Sequence, residues 1–260
     1  MILNKIIENK KSEVERTKKS RPLDVLRSEL QSLENTKGFY ESISPDGSTK
    51  VIAEIKCASP SKGVLRSEFN PVEISKSYAR GGASAVSVLT DFRFFKGSLN
   101  HLRDVRSSVE IPLLRKDFII DPYQVYESRF FGADAILLIV AALDPTILRE
   151  LLELAHSLDM DAIVEIHDER ELDKAIEAGS KIIGINNRDL KTFDVSLDTS
   201  LRLCKLIPRE KIIVSESGIS SSDDIKRLKS AGVNVLLIGE RFMRAPEPGE
   251  ELRKLLLECS

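Results

Sequence analysis

The chain has 260 residues, 42% of them hydrophobic and 31% charged, a length that suits one large domain with a substantial core. Thirty-nine lysines and arginines against 41 aspartates and glutamates leave a net charge of −2, which excludes the overall basic excess of a dedicated nucleic-acid or acidic-membrane binder. Three cysteines (Cys57, Cys204, Cys259) and three histidines (His101, His156, His167) show no metal-ligand or disulfide spacing, and no apolar run reaches the ~18 residues of a membrane span, so a cytoplasmic enzyme without a metal is expected.

Residues 1–5 lack a signal-peptide core. Ile2, Leu3, Ile6 and Ile7, then Leu23, Leu26, Leu30 and Leu33, recur at helical spacing and predict one or two helices in a helical extension over about residues 1–45. Between them lie Lys10, Lys11, Arg16, Lys18, Lys19 and Arg21, mixed with acids, a run that reads as a solvated helix face. A loop through Ser44, Pro45, Asp46 and Gly47 closes this part.

Eight short apolar runs follow, over 51–56, 84–89, 112–118, 135–140, 162–166, 181–185, 211–214 and 234–238. Most are rich in Val, Ile and Leu, as strands buried on both faces of a parallel sheet are. They begin roughly 20–35 residues apart, the length of a βα unit. Helical stripes lie between them, such as Leu148, Leu151, Leu152 and Ala155, or Ile225, Leu228 and Ala231. Several end in glycine, as a left-handed helix cap requires. No G-x-G-x-x-G follows the first run, so a dinucleotide-binding sheet has no local support. Eight alternating units predict an α/β fold, a single (β/α)₈ TIM barrel over about residues 50–260, with an open sheet as the alternative.

In such a barrel the chemistry gathers at the C-terminal strand ends. Glu54 and Lys56 share a face of the first strand, inward if Ile52 points inward. The later strand ends add Lys116, Glu165, Asn186, Arg188 and Glu216. A ring of structural salt bridges would use the same residue types, but acids and lysines converging at one barrel mouth point to proton transfer. Ser217-Gly218 and Gly239-Glu240, after the last two strands, can offer backbone N–H groups to a phosphate. The first loop, through Ser59, Pro60 and Lys62, is a polar loop or a lid. Phe95 and Phe118 can pack on a flat apolar substrate or simply on the core.

Taken in order, these strand ends resemble the indole-3-glycerol-phosphate synthase family of tryptophan biosynthesis. The resemblance runs nearly the whole chain. It is carried by Glu54-Ile55-Lys56 leading into Ala58-Ser59-Pro60-Ser61, Phe95-Lys96-Gly97-Ser98, Lys116-Asp117-Phe118 and Val164-Glu165-Ile166-His167. Gly132-Ala133-Asp134-Ala135-Ile136-Leu137-Leu138-Ile139, Gly184-Ile185-Asn186-Asn187-Arg188-Asp189-Leu190, Glu216-Ser217-Gly218-Ile219 and Leu237-Ile238-Gly239 complete it.

The resemblance implies a carboxy-lyase that turns 1-(2-carboxyphenylamino)-1-deoxyribulose 5-phosphate into indole-3-glycerol phosphate, carbon dioxide and water, with no cofactor and no metal. It implies Lys116 as the acid for ring closure and Glu165 as an acid/base carboxylate, with Glu54 and Lys56 as partners. Asn186 and Glu216 match sugar-hydroxyl positions, and Arg188 a residue of the substrate pocket. Phe95, Phe118, Leu137, Ile139, Leu190 and Pro60 match the pocket of the aromatic ring. Ser217, Gly218, Gly239, Ser59 and Lys56 match the phosphate site. Glu240 stands where some relatives have serine, so only its backbone N–H is expected to serve the phosphate and its carboxylate must point away. His167 receives no role. The partner implied is a small phosphosugar carrying an anthranilate ring, with no nucleic acid or membrane; contact with other enzymes of the pathway is left open. A phosphosugar barrel isomerase, a Schiff-base aldolase using Lys56 or Lys116, and a non-catalytic interaction module are the competing readings.

Overall fold

Alternation along each strand sorts its side chains into two cores, and the closure of the sheet decides which faces which. The computed structural model describes residues 2–30, 33–190 and 192–259. β1 (Lys50–Ile55) is followed by a small antiparallel hairpin, β2 (Ala58–Ser59) with β3 (Gly63–Val64). Then come β4 (Ala85–Leu89), β5 (Leu113–Lys116), β6 (Ala135–Ile139), β7 (Asp161–Ile166), β8 (Ile182–Asn186), β9 (Ile212–Glu216) and β10 (Val235–Ile238). Apart from the hairpin, these strands form a closed parallel barrel in the order β1-β10-β9-β8-β7-β6-β5-β4, with β4 pairing β1 again. The closed barrel, not the open sheet, is the fold.

Ile52, Leu114, Leu137, Ile163, Val214 and Leu237 fill the inside of the barrel. Val51, Ala53, Ile55, Val86, Val88, Ile136 and Leu138 face outward, against the helices. Ile52 does point inward, so Glu54 shares the barrel axis with it. Three of the surrounding helices start with proline at the first turn behind an Asx cap: Asn70, Asp121 and Asp144 accept from Val72, Tyr123 and Thr146 backbone N–H groups. Glycine closes helices as expected; Gly132 and Gly179 take φ of 86° and 87°.

The N-terminal extension contains helices Ile2–Ser20 and Leu23–Leu30, and a third, Phe39–Ile43, that the sequence reading missed. The second helix is described over Leu23–Leu30, and Leu33, beyond the two residues outside the described ones, lies in a bend. The third closes the barrel floor. Phe39 and Ile43 join the inner core beside Ala85, Ile182 and Val235. Asp161 Oδ2 accepts from the Tyr40 N–H at 2.8 Å, and Asp134 Oδ1 from the Lys37 N–H at 2.8 Å. At the other end, Ile2, Leu3 and Ile6 of the first helix line the cavity at the barrel mouth.

The basic run of the first helix is not uniformly solvated. Lys10 is fully buried, with Nζ 2.9 Å from Asp117 Oδ1, 3.1 Å from Asp91 Oδ2 and 3.1 Å from Glu13 Oε1. Burial alone would lower its pKa, but the three carboxylates outweigh that and raise it. Asp117 also meets buried Arg115 at 3.0 Å, and Arg115 meets Glu127 at 2.9 Å. The helix is thus pinned to the barrel by a buried ion network. Lys18 reaches Asp121 at 2.7 Å and Arg21 lies over the Phe130 ring, whereas Lys11, Arg16 and Lys19 are exposed. Among the described residues no helix is long and apolar enough to cross a membrane.

Candidate active site

The barrel's inward register delivers a charged side chain from four of its eight strands, and the amide of Asn186 from a fifth, to a single cavity at its C-terminal mouth. Glu54, Lys56, Lys116, Glu165, Asn186 and Glu216 all line it. So do Ser59, Pro60, Phe95, Phe118, Leu137, Ile139, Arg188, Leu190, Ser217, Gly218, Gly239 and Glu240. Every residue singled out from the sequence as a site candidate is therefore in the same pocket.

Lys116 is the centre of the charged layer. Its Nζ lies 3.1 Å from Glu165 Oε2 and 3.2 Å from Glu216 Oε2. Burial works to strip its proton, yet Glu165, Glu216 and Glu54 together hold it as an ammonium, with its pKa well above the ordinary lysine value. The two carboxylates diverge. Burial raises Glu165, but Lys116, His167 and a hydrogen bond from the Asn186 side chain bring it below its usual range, so it is ionised. Burial, reinforced by Glu165 and Glu54, pushes Glu216 up to about 7 against the pull of Lys116. Two acids on one ammonium with pKa values driven apart can hold and release protons near neutral pH.

Glycines make room for these carboxylates. A Cβ on Gly184 would stand 2.5 Å from Glu216 Oε1, and one on Gly239 would collide with Glu54 Oε1. Lys56 Nζ donates to that same Glu54 oxygen. Because Glu54 packs on Gly239, Lys56 stands at the edge of the loop offered for phosphate. Ser217 and Gly218 take left-handed φ of 67° and 78° and turn the chain sharply after β9. Glu240 accepts from Arg244 Nε at 3.1 Å, so its carboxylate is turned along its own helix as expected. On the other side of the cavity the Phe95 and Phe118 rings lie 6.1 Å apart, centroid to centroid, tilted by 37°. Leu137 and Ile139 add an aliphatic floor. The first loop forms the β2–β3 hairpin; Ser59 and Pro60 reach the cavity wall, while Lys62 is exposed outside it.

Several contributors were not found from the sequence. Ile2, Leu3 and Ile6 roof the cavity, and Leu89, Phe193 and Arg241 join its wall. Asn187, whose Nδ2 donates at 3.0 Å to each of Ser215 Oγ, Glu216 O and Ser217 O, locks the turn after β9. The signal for it was the Asn186-Asn187 pair: alternation sends one inward and one outward. No grouping of three or more His, Cys, Asp or Glu side chains suited to a metal ion occurs among the described residues.

Comparison with known proteins agrees with this geometry. A family model described as indole-3-glycerol phosphate synthase matches residues 3–255. The chain is 52% identical over 260 residues to the indole-3-glycerol phosphate synthase of Polaromonas naphthalenivorans, covering 99% of each chain. It is 50% identical over 257 residues to that of a second Polaromonas species, covering 98% of this chain and 97% of the relative. Among solved structures, 3-hexulose-6-phosphate synthase from Salmonella typhimurium matches with a TM-score of 0.64 at 14% identity, covering 81% of this chain and 98% of that one. Thiamine phosphate pyrophosphorylase from Pyrococcus furiosus matches with a TM-score of 0.60 at 16% identity, covering 81% and 96%. The distant structures show the barrel alone; with the family match and its full-length relatives, the chain belongs to the indole-3-glycerol phosphate synthase family.

Proposed function

We propose that this cavity carries out the family reaction with Lys116 as the acid of ring closure, and the observation that carries the assignment is the ammonium of Lys116 held between Glu165 and Glu216. The substrate's aromatic ring packs against Phe95 and Phe118. Its phosphate lies on the N–H groups of the loops at Ser217-Gly218 and Gly239-Glu240, where helix ends and open backbone favour an anion. The ring carbon that bears the carboxylate attacks the ribulose carbonyl, and the oxyanion takes a proton from Lys116. Carbon dioxide leaves and the ring regains its aromaticity.

Dehydration then needs a base for a proton of the new ring and an acid for the departing hydroxyl. Ionised Glu165 is the base, and Lys56, donating to Glu54, is the second ammonium within the site and supplies the acid. Asn186 and Glu216 hold the sugar hydroxyls, and Arg188 lines the pocket beside them. Free cysteines, two buried and one half-buried, fit a reducing cytoplasm.

A Schiff-base route through Lys116 runs against its electrostatics. An amine nucleophile needs its pKa lowered, and three carboxylates raise this one. Borohydride with substrate should therefore trap no adduct on Lys116.

The test is an indole-fluorescence assay with 1-(2-carboxyphenylamino)-1-deoxyribulose 5-phosphate. The chain has no tryptophan, so product emission rises over a low background. Growth of that signal in the presence of a chelator is the expected result. Folded protein that binds the phosphosugar without turnover would overturn the assigned roles.

A further inference from the structure

His167 follows β7 two residues after Glu165, and neither the resemblance nor the reaction above gives it a task. Its two ring nitrogens face two carboxylates. Nδ1 lies 3.0 Å from Glu171 Oε2, the same oxygen that accepts the His167 backbone N–H at 2.7 Å. Nε2 lies 3.5 Å from Glu165 Oε1 and, although shielded from solvent, has no hydrogen-bond partner.

These contacts restrict the protons. An ionised Glu171 only accepts, so Nδ1 carries a hydrogen. A neutral ring would then turn the bare Nε2 lone pair toward a carboxylate oxygen, an arrangement that is repulsive unless one proton lies between them. Glu165 Oε2 already accepts from Lys116 Nζ at 3.1 Å. The groups facing the ring are Glu165 on β7, Glu171 on the following helix and Glu216 on β9, with Lys116 of β5 beyond Glu165. Three acids around one imidazole favour its cationic form; burial opposes them, and the balance raises the His167 pKa.

We propose that His167 is a positioning residue for Glu165: as an imidazolium ion it is the counterion of Oε1, as Lys116 is of Oε2, and it keeps Glu165 ionised and oriented for the base step. The inference rests on the reading of Glu165 as base given above. It extends the charged layer by one residue past the end of β7 and by one helix, since Glu171 fixes the ring. The order is Glu171, His167, Glu165, Lys116, Glu216, with carboxylate and cation alternating across the barrel mouth.

Histidine side-chain NMR tests the pairing without using activity. The chain has three histidines, and burial lowers the pKa of both His101 and His156. In the wild type His167 should titrate above the other two, and Glu165→Gln should lower its pKa by about one unit, the scale of one opposing charge at this range. Identical titration in wild type and Glu165→Gln overturns the proposal.

The pH profile tests the consequence. His167→Gln keeps an N–H donor but no charge, so Glu165 should become harder to ionise and the acid limb of kcat/KM should move up by about one pH unit. Glu171→Gln should move the limb in the same direction while leaving His167 in place. Product formed by either folded variant with a profile superimposable on that of the wild type overturns the positioning role. Failure of the underlying reaction is distinct, since it shows as no product from the wild type at all.

Discussion

The Glu216 carboxylate lies over Gly184 of the neighbouring strand, two residues before its register partner Asn186, and fills the space that any larger residue at 184 would need. A methyl group there would lie 2.5 Å from Glu216 Oε1 and 2.8 Å from Ile163 Cγ2. Gly184→Ala should therefore displace Glu216 from Lys116. A shift of about 1 Å in such a group can cost about 100-fold in rate. We expect a fall in kcat on that scale, with a destabilisation of about 1–3 kcal/mol from overpacking. Steady-state kinetics beside urea unfolding checks both, and wild-type kcat in Gly184→Ala would contradict the placement.

Lys116→Ala and Glu165→Gln should each lose most activity, on the order of 10²–10⁴-fold for the loss of a general acid or base. The circular dichroism spectrum should be that of the wild type, because the barrel core does not depend on either side chain. Near wild-type turnover in either variant would contradict the role given to it.

Stability should carry the imprint of Glu216. Its pKa is about 7 in the folded chain against an ordinary value of 4.5. Between those values the folded state holds a proton that the unfolded state has lost, so this group's contribution to stability falls as pH rises through the window. Glu216→Gln removes that penalty. The stability of the variant relative to wild type should grow from about pH 4.5 to pH 7 and level off above. Urea titrations at fixed pH values give the difference directly; a constant offset would contradict the raised pKa.

Lys10→Met should cost about 3–5 kcal/mol, the usual penalty for leaving buried acids without their cation. Asp91 would lose its cation, and Asp117 would lose one of its two, keeping Arg115. Burial works to raise Asp117, but Lys10, Arg115 and Thr90 hold its pKa well below the ordinary carboxylate range. A depressed pKa contributes stability above the unfolded value and loses it as pH falls through the folded one. The penalty of Lys10→Met should consequently shrink in acid, where Asp117 takes up a proton. A penalty that stays constant down to the acid transition would count against the ion network.

The barrel was legible in the sequence because each strand is a short apolar run and each crossover a helical stripe. The charged layer was legible because period-two alternation decides which residue at a strand end points inward, as with Glu54 and Lys56. Helix Phe39–Ile43 was not, since five residues are too few to show a helical period. Lys10 reads as part of a solvated face although it lies four residues after Ile6 and four before Val14, on the buried stripe of its helix. The residue type suggested water; the spacing suggested the interior. Glu13 is a local partner, but Asp91 and Asp117 stand far along the chain, beyond the reach of any local pattern. The roofing role of Ile2, Leu3 and Ile6 was hidden for a similar reason, because an apolar helix face does not say whether it covers a core or a cavity.

The first helix also sets an order of events during synthesis. It leaves the ribosome before any strand of the barrel, yet its anchor points are Asp91 and Asp117. Until the chain has grown past β5, the apolar face of that helix has nothing to cover and Lys10 no acids to meet. The barrel mouth is thus roofed by a segment made before the barrel itself, arriving late. A nascent chain halted before residue 91 should expose this helix to proteases, and one released after the whole barrel has emerged should protect it.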